Sequence, residues 1–126
     1  MNELESTISQ VIEENFIPFE WNDKIEKELE EINLDTNLPR KDLTKIPFIT
    51  IDGADAKDFD DAVHCFKNKT TYSLSVAIAD VAEIVKLKSA INDEALERGT
   101  SIYFPSKVIP MLPEKISNNL CSLVPN

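Results

Sequence analysis

The stretch that decides the fold is residues 46–63, IPFITIDGADAKDFDDAV. Its first part, residues 47–51, is β-branched and aromatic, which predicts a strand that delivers the chain to Asp52. Its second part places five aspartates within ten positions, residues 52–61. A second strand is predicted over residues 63–66. The stretch therefore predicts an acidic loop held between two strands.

The sequence that follows predicts a hairpin and then a helix. Residues 71–78 alternate between apolar and polar side chains, which is typical of a strand, and a turn is expected at 68–70. A helical turn over 81–85 and a helix over 89–98 are predicted next, with Ser89 as N-cap and Gly99 beyond the last turn. A short strand over 101–104 and one short helix near 113–120, between proline-rich loops, complete the pattern.

The residues before the acidic stretch predict two helices. Their apolar residues recur at the spacing of one helix face, in Leu4, Ile8, Val11 and Ile12 and again in Trp21, Ile25, Leu29 and Ile32. Pro18 separates them, and Asn22 is a candidate N-cap of the second. Residues 33–45 are polar and predict a linker. The expected fold class is α+β: two N-terminal helices followed by antiparallel strands of an incomplete sheet.

Composition limits the function classes. The 126 residues include 13 basic and 23 acidic side chains, for a net charge of −10. That balance argues against nucleic acid held by this chain alone, since phosphates attract Lys and Arg. No stretch approaches the apolar length of a membrane span, and no signal peptide is evident. Cys65 and Cys121 are expected to be reduced and partly buried, which suits the cytoplasm.

The acidic cluster is a candidate cation site. Neighbouring carboxylates raise one another's pKa values, and a bound divalent cation relieves the conflict. EF-hand spacing fails, because Ala62 and Val63 stand at the fifth and sixth positions counted from Asp58. The cluster contains no His or Cys, which disfavours zinc. On spacing alone, a Mg²⁺ site for phosphoryl chemistry and a solvated acidic loop both stay open, with a Ca²⁺ loop as a weaker third reading.

A series of sequence blocks extends the pattern beyond this loop. The blocks are LTKIP (43–47), TIDGADAKDFDDAV (50–63), VAIADV (76–81), EA and RGTS within 94–101, YFP (103–105), VIPMLPE (108–114) and LCSL (120–123). In order and spacing they resemble the ribonuclease II / ribonuclease R (RNB) family of 3′→5′ exoribonucleases, with the ribonuclease R branch as the nearer match. The resemblance implies that residues 1–42 are a helical linker and residues 43–126 the N-terminal portion of a truncated RNB catalytic domain.

The resemblance also implies a site. The family's D-x₅-D-x-D-D pattern falls on Asp52, Asp58, Asp60 and Asp61 and leaves Asp55 out. Asp52 and Asp61 are then direct ligands of Mg²⁺, or of Mn²⁺. Asp58 and Asp60 are expected to complete the coordination and to act catalytically by orienting the attacking water. Tyr103 matches an aromatic that stacks near the 3′-terminal nucleotide.

The remaining expectations concern the whole protein. Family members add OB domains, a basic RNA-binding domain and a later Arg that stabilises transition-state charge, none of which is present here. The expected parent protein degrades single-stranded RNA processively to 5′-nucleoside monophosphates, with no membrane or DNA partner. The isolated chain is expected to be inactive, and a catalytically silent remnant is the alternative.

Asp80 is expected to cap a turn, Arg98 to form an ion pair, and His64 to be a strand residue.

Overall fold

The computed structural model describes residues 3–34, 37–54, 56 and 58–124. Its elements, in chain order, are α1 (Glu3–Glu14), α2 (Asp23–Glu31), β1 (Asp61–Lys67), β2 (Tyr72–Ile78), α3 (Val81–Ile84), α4 (Ala90–Arg98), β3 (Ile102–Phe104), β4 (Lys107–Ile109) and a π-helix (Ile116–Leu120). The α+β class is confirmed. Two compact units form, one from 1–32 with 85–113 and one from 33–84 with 114–126. Within the described ranges, no helix is both long and apolar enough to cross a bilayer.

Capping residues define the start of α2 and both ends of α4. The Asn22 side chain accepts hydrogen bonds from the backbone N–H groups of Lys24 (3.1 Å) and Ile25 (3.2 Å) at the start of α2. The hydroxyl of Ser89 accepts from the N–H of Asn92 (3.1 Å) at the start of α4. Gly99 ends α4 with φ of 71°, in the left-handed region. All three capping predictions are confirmed.

The first unit is built around α1 and a short hairpin. Ile8 and Ile12 of α1 form a buried cluster with Ile109 of β4, and three half-buried residues pack against it: Ile17, Ile102 and Phe104. Strand β4 pairs antiparallel with β3. The sequence predicted β3 but treated the β4 segment as loop. Three residues are too few for a visible alternation, so pairing with β3 defines β4.

Helices α2 and α4 also pack together in the first unit. Each contributes one fully buried side chain, Ile25 from α2 and Ile91 from α4. The Glu28 carboxylate of α2 accepts hydrogen bonds from the N–H groups of Ala90 (2.8 Å) and Ile91 (3.3 Å), in the first turn of α4. A carboxylate there is favourable, because it satisfies free N–H donors and complements the helix dipole.

The second unit contains the predicted hairpin. Strands β1 and β2 pair antiparallel from Asp61 opposite Ile78 to Lys67 opposite Tyr72. The strand predicted over 47–51 is wrong, since only an isolated bridge forms there, between Ile49 and Val63. A β-rich segment becomes a strand only when a ladder of partners continues beside it, and here the ladder stops after one residue pair.

The two faces of the hairpin differ from the usual pattern. The apolar side chains of β2, Tyr72, Leu74, Val76 and Ile78, are exposed, whereas the polar and small ones between them are half-buried. Cys65 lies opposite Leu74 on this exposed face, so the prediction that it is partly buried is wrong. In the part of the chain that the structure describes, β2 pairs with β1 alone.

Cys121 is buried, as predicted, and both cysteines are free thiols. Burial raises the pKa of the Cys121 thiol, and the charges of Asp60 and Asp80 raise it further. The thiol therefore stays protonated at neutral pH, as a small apolar residue of the second unit's interior.

Candidate functional site

The four aspartates of the predicted site lie along the entry to β1. Asp52 and Asp58 belong to the segment that follows the Ile49 bridge, Asp60 directly precedes β1, and Asp61 is its first residue. All four are exposed to solvent. Asp55, which the sequence pattern leaves out of the site, lies outside the described residues. The four aspartates thus follow one another along the chain, as a line in sequence that ends at the first residue of β1.

The backbone under this line is held by contacts from two directions. The C=O of Asp60 accepts a hydrogen bond from the N–H of Ala79 (3.0 Å), which continues the β1–β2 ladder by one residue. Phe59 donates its N–H to the Ser122 hydroxyl (2.9 Å) and accepts at its C=O from the N–H of Leu123 (2.8 Å). The sequence patterns predicted no role for Ser122. Its only signal was the position of residues 120–123 in the block pattern.

Charge repulsion links the four carboxylates. The pKa of Asp60 is raised above its ordinary value of 3.8, first by partial desolvation of its carboxyl and then by the charges of Asp58, Asp61 and Asp52, in that order. The structure therefore brings the other three predicted ligands within electrostatic range of Asp60. A nearby cation would lower that pKa again, because an opposite charge favours the ionised carboxylate.

The donor chemistry of the site suits a hard divalent cation such as Mg²⁺, which prefers carboxylate oxygens. Among the described residues, however, no group of three or more His, Cys, Asp or Glu side chains is arranged to hold a metal ion. The carboxylates share a neighbourhood without forming a closed ligand set, so the assignment of Asp52, Asp58, Asp60 and Asp61 as ligands stays a prediction.

Tyr103 lies on β3, opposite Val108, and its side chain is exposed. It belongs to the first unit, whereas the aspartates belong to the second. An exposed ring on a short hairpin is available for stacking on a base. Its predicted role in binding the 3′-terminal nucleotide stays a prediction.

Arg98 forms the predicted ion pair and three further contacts. Its Nε donates to the Glu94 carboxylate at 2.9 Å. Its two terminal nitrogens donate to the backbone C=O groups of Pro110 (3.1 Å) and Glu20 (2.9 Å). The guanidinium carbon lies 3.6 Å from the ring centroid of Trp21. Arg98 therefore joins three separate segments of the first unit.

Two other residues near the cluster have structural contacts. The Asp80 carboxylate accepts from Arg40 at 2.9 Å, an exposed ion pair that the sequence did not predict. His64 is a residue of β1, as predicted, and its ring lies 6.0 Å from that of Phe48 and 5.9 Å from that of Phe66. These contacts do not place either residue among the four aspartates of the predicted site.

The class of protein follows from comparison with known families. The RNB domain family matches residues 40–126. The chain belongs to this family, the RNB family of exoribonucleases, as the block pattern predicted.

Within the family, the chain is similar to ribonuclease R. It is 52% identical over 114 residues to ribonuclease R of Vibrio parahaemolyticus and 64% identical over 86 residues to that of Mycoplasmopsis pulmonis. These alignments cover 86% and 68% of this chain. They cover only 14% and 12% of the relatives, so the chain spans about a seventh of the length of the curated proteins that it matches.

Solved structures agree. Ribonuclease R of Mycoplasma genitalium in complex with double-stranded RNA superposes with a TM-score of 0.90 at 40% identity. That match covers 98% of this chain and 23% of the solved one. The same protein in complex with ribose-methylated single-stranded RNA gives a TM-score of 0.89. The described elements are therefore arranged similarly to those in a part of Mycoplasma genitalium ribonuclease R.

Proposed function

We propose that this chain is part of a Mg²⁺-dependent hydrolytic exoribonuclease, which degrades RNA processively from the 3′ end to 5′-nucleoside monophosphates. The observation that carries the proposal is the line of four aspartates at the entry to β1, in a chain of the RNB family. The raised pKa of Asp60 supports it, since a cation would relieve the repulsion among these carboxylates.

The four carboxylates have different roles in this proposal. Asp52 and Asp61 bind the cation directly. The backbone of Asp61 is held by strand pairing, because Asp61 is the first residue of β1. Asp58 and Asp60 complete the coordination and orient the attacking water. A divalent cation bound there supplies activation of water and stabilisation of the leaving oxygen. Mn²⁺ has the same preference for oxygen ligands and can substitute.

The proposed substrate is single-stranded RNA, which other parts of the proposed longer protein would mainly bind. A net charge of −10 makes this chain alone a poor binder of phosphates. Tyr103 contributes by stacking, which tolerates any base and so suits degradation of RNA of any sequence. The proposed location is the cytoplasm, with no DNA and no membrane partner.

A second candidate is a catalytically silent piece that binds metal or has only a structural role. It is favoured by the lack, among the described residues, of a closed metal-ligand group. The assay that can refute this candidate incubates the 126-residue chain with end-labelled single-stranded RNA and Mg²⁺. We expect no nucleotide release from the isolated chain, and clean release would refute silence.

The parent activity can be tested in a chimera. Ribonuclease R of Escherichia coli is 49% identical to this chain over 114 residues, and that segment can be replaced by the present sequence. We expect stepwise 3′→5′ release that falls by roughly 10²–10⁴-fold in Asp60→Asn. Asp93→Asn, at an exposed aspartate of α4, is the matched control and should retain activity. Unimpaired decay by the Asp60→Asn chimera would contradict the role of Asp60.

A further inference from the structure

The peptide groups beside two of the predicted ligands are held by a segment far along the chain. Phe59 lies between Asp58 and Asp60, and both of its backbone polar groups are satisfied by residues 122–123. The Ser122 hydroxyl accepts from the Phe59 N–H at 2.9 Å, across a sequence separation of 63 residues. The Leu123 N–H donates to the Phe59 C=O at 2.8 Å. Together these two bonds fix the peptide planes on both sides of Phe59.

These two hydrogen bonds hold the backbone at the point where the hydrogen bonds of the β1–β2 sheet end. Asp61 is held by β1, and the Asp60 C=O is held by Ala79. Asp58 lies before the first of these ladder contacts and is not part of a helix or strand. The bond from Phe59 to Ser122 is therefore the contact that carries the fixed backbone one step further, to the peptide that joins Phe59 to Asp58.

The chemistry of the side chain matters at this position. A backbone N–H needs an acceptor, and the serine hydroxyl provides one from a half-buried position. Alanine removes the acceptor, so the peptide between Asp58 and Phe59 can rotate, and the Asp58 carboxylate moves with it. Threonine retains the hydroxyl. Groups that orient metal ligands typically change metal affinity by about 10–100-fold when they are removed.

We infer that Ser122 is a positioning residue, whose hydroxyl fixes the backbone from which the Asp58 and Asp60 carboxylates reach a divalent cation. The inference rests on the proposed function, because it concerns the same carboxylates. It adds a residue 63 positions beyond Phe59, whose hydroxyl acts on the carboxylates through the Phe59 backbone N–H.

The test is a Mn²⁺ titration of the 126-residue chain and four variants. Binding is monitored by the electron paramagnetic resonance signal of free Mn²⁺. Ser122→Ala is expected to weaken binding by about 10-fold or more, and Ser122→Thr by less than about twofold. Ser101→Ala is the matched control, because the Ser101 hydroxyl accepts from the Met111 N–H at the same 2.9 Å within the first unit. It should bind as the unmodified chain does. Asp60→Asn reports the site itself and should abolish binding.

A second readout does not depend on metal. The Phe59 amide should exchange its hydrogen about 10-fold faster or more in Ser122→Ala than in Ser122→Thr. Equal Mn²⁺ affinity in Ser122→Ala and the unmodified chain, with binding lost in Asp60→Asn, would overturn the role of Ser122 alone. An equal loss in Ser101→Ala would overturn it too, as a general effect on stability. Absence of Mn²⁺ binding by the unmodified chain, or binding unaffected by Asp60→Asn, would overturn both the metal site and the positioning role.

Discussion

At the residue scale, Arg98 has the largest set of side-chain contacts described above. Its side chain is only 3% exposed, and the partner carboxylate of Glu94 is 18% exposed. A buried guanidinium is tolerable only when its donors are satisfied, and here Glu94, Pro110 and Glu20 accept from it. Its flat face also lies over the Trp21 ring, an arrangement that an ammonium cannot reproduce in the same way.

Arg98→Lys is therefore expected to destabilise the chain by about 2 kcal/mol, because one point charge replaces a planar fork of donors. Urea unfolding followed by the fluorescence of Trp21, the only tryptophan, measures the loss directly. Arg40→Lys is the control. The Arg40–Asp80 pair is 54% and 52% exposed, so its loss should change stability by less than about 1 kcal/mol. Equal effects of the two substitutions would contradict this account of Arg98.

Asp60 predicts a pH dependence of stability. Its pKa in the folded chain is raised above 3.8, by partial desolvation first and then by the neighbouring carboxylates, so ionisation is harder in the folded than in the unfolded state. Stability from this group is present at low pH and is lost as the pH rises from about 3.8 through the raised pKa. Without divalent cations, Asp60→Asn should raise the thermal midpoint at pH 7 by about 1–4 °C.

The same substitution should have no effect at a pH of about 3, where the carboxyl is protonated in both states. Calorimetry at the two pH values checks the prediction, with Asp93→Asn as the control at an exposed position of α4. A lower midpoint for Asp60→Asn at neutral pH would contradict the direction of the pKa shift.

At the element scale, Gly99 joins α4 to the β3–β4 hairpin that carries Tyr103. Its φ of 71° lies in the left-handed region, and an added Cβ would meet no atom within 4 Å apart from those of its chain neighbours. A substitution there changes stability through backbone strain rather than through a clash. The position thus isolates the contribution of one capping residue.

Gly99→Ala should destabilise the chain by about 1 kcal/mol, and Gly99→Asn by less, because asparagine tolerates the left-handed region better than alanine does. Urea denaturation of both variants gives the difference. A cost for Asn equal to or larger than that for Ala would show that packing, not φ, determines the residue at this position.

The elements also show what local sequence can predict. Asn22, Ser89 and Gly99 were predictable because a cap acts within a few residues of itself. The strand predicted over 47–51 failed because a ladder depends on a distant partner, which local propensity does not contain. The site divides in the same way. The spacing of the aspartates is local and visible in the sequence, whereas the bond from Phe59 to Ser122 spans 63 residues and has no local signal.

At the scale of the whole molecule, the exposed apolar face of β2 is the main liability. Leu74 and Val76 are 65% and 53% exposed, and Tyr72 and Ile78 flank them on the same face. The outer edge of β2 has no partner strand among the described residues. Contiguous exposed apolar side chains beside an open strand edge favour association.

The unmodified chain should therefore self-associate as its concentration rises, and the double substitution Leu74→Lys with Val76→Lys should keep it monomeric. Because both side chains are exposed, the free energy of unfolding should change by less than about 1 kcal/mol. Sedimentation velocity across a concentration series checks both expectations. Ser75→Lys, on the half-buried face, should leave the association in place. Monomeric behaviour of the unmodified chain at all concentrations would contradict the prediction.

In the proposed function, the line of aspartates at the entry to β1 is a cation site and not one acidic surface among several. Helix α2 provides an internal comparison, because its nine residues include five acidic side chains. The most direct measurement is a map of Mn²⁺-induced line broadening over the backbone amide NMR signals of the 126-residue chain. We expect broadening at low Mn²⁺ to centre on the amides of Asp52, Asp58, Asp60 and Asp61. Broadening centred on α2, or spread evenly over both acidic regions, would contradict it.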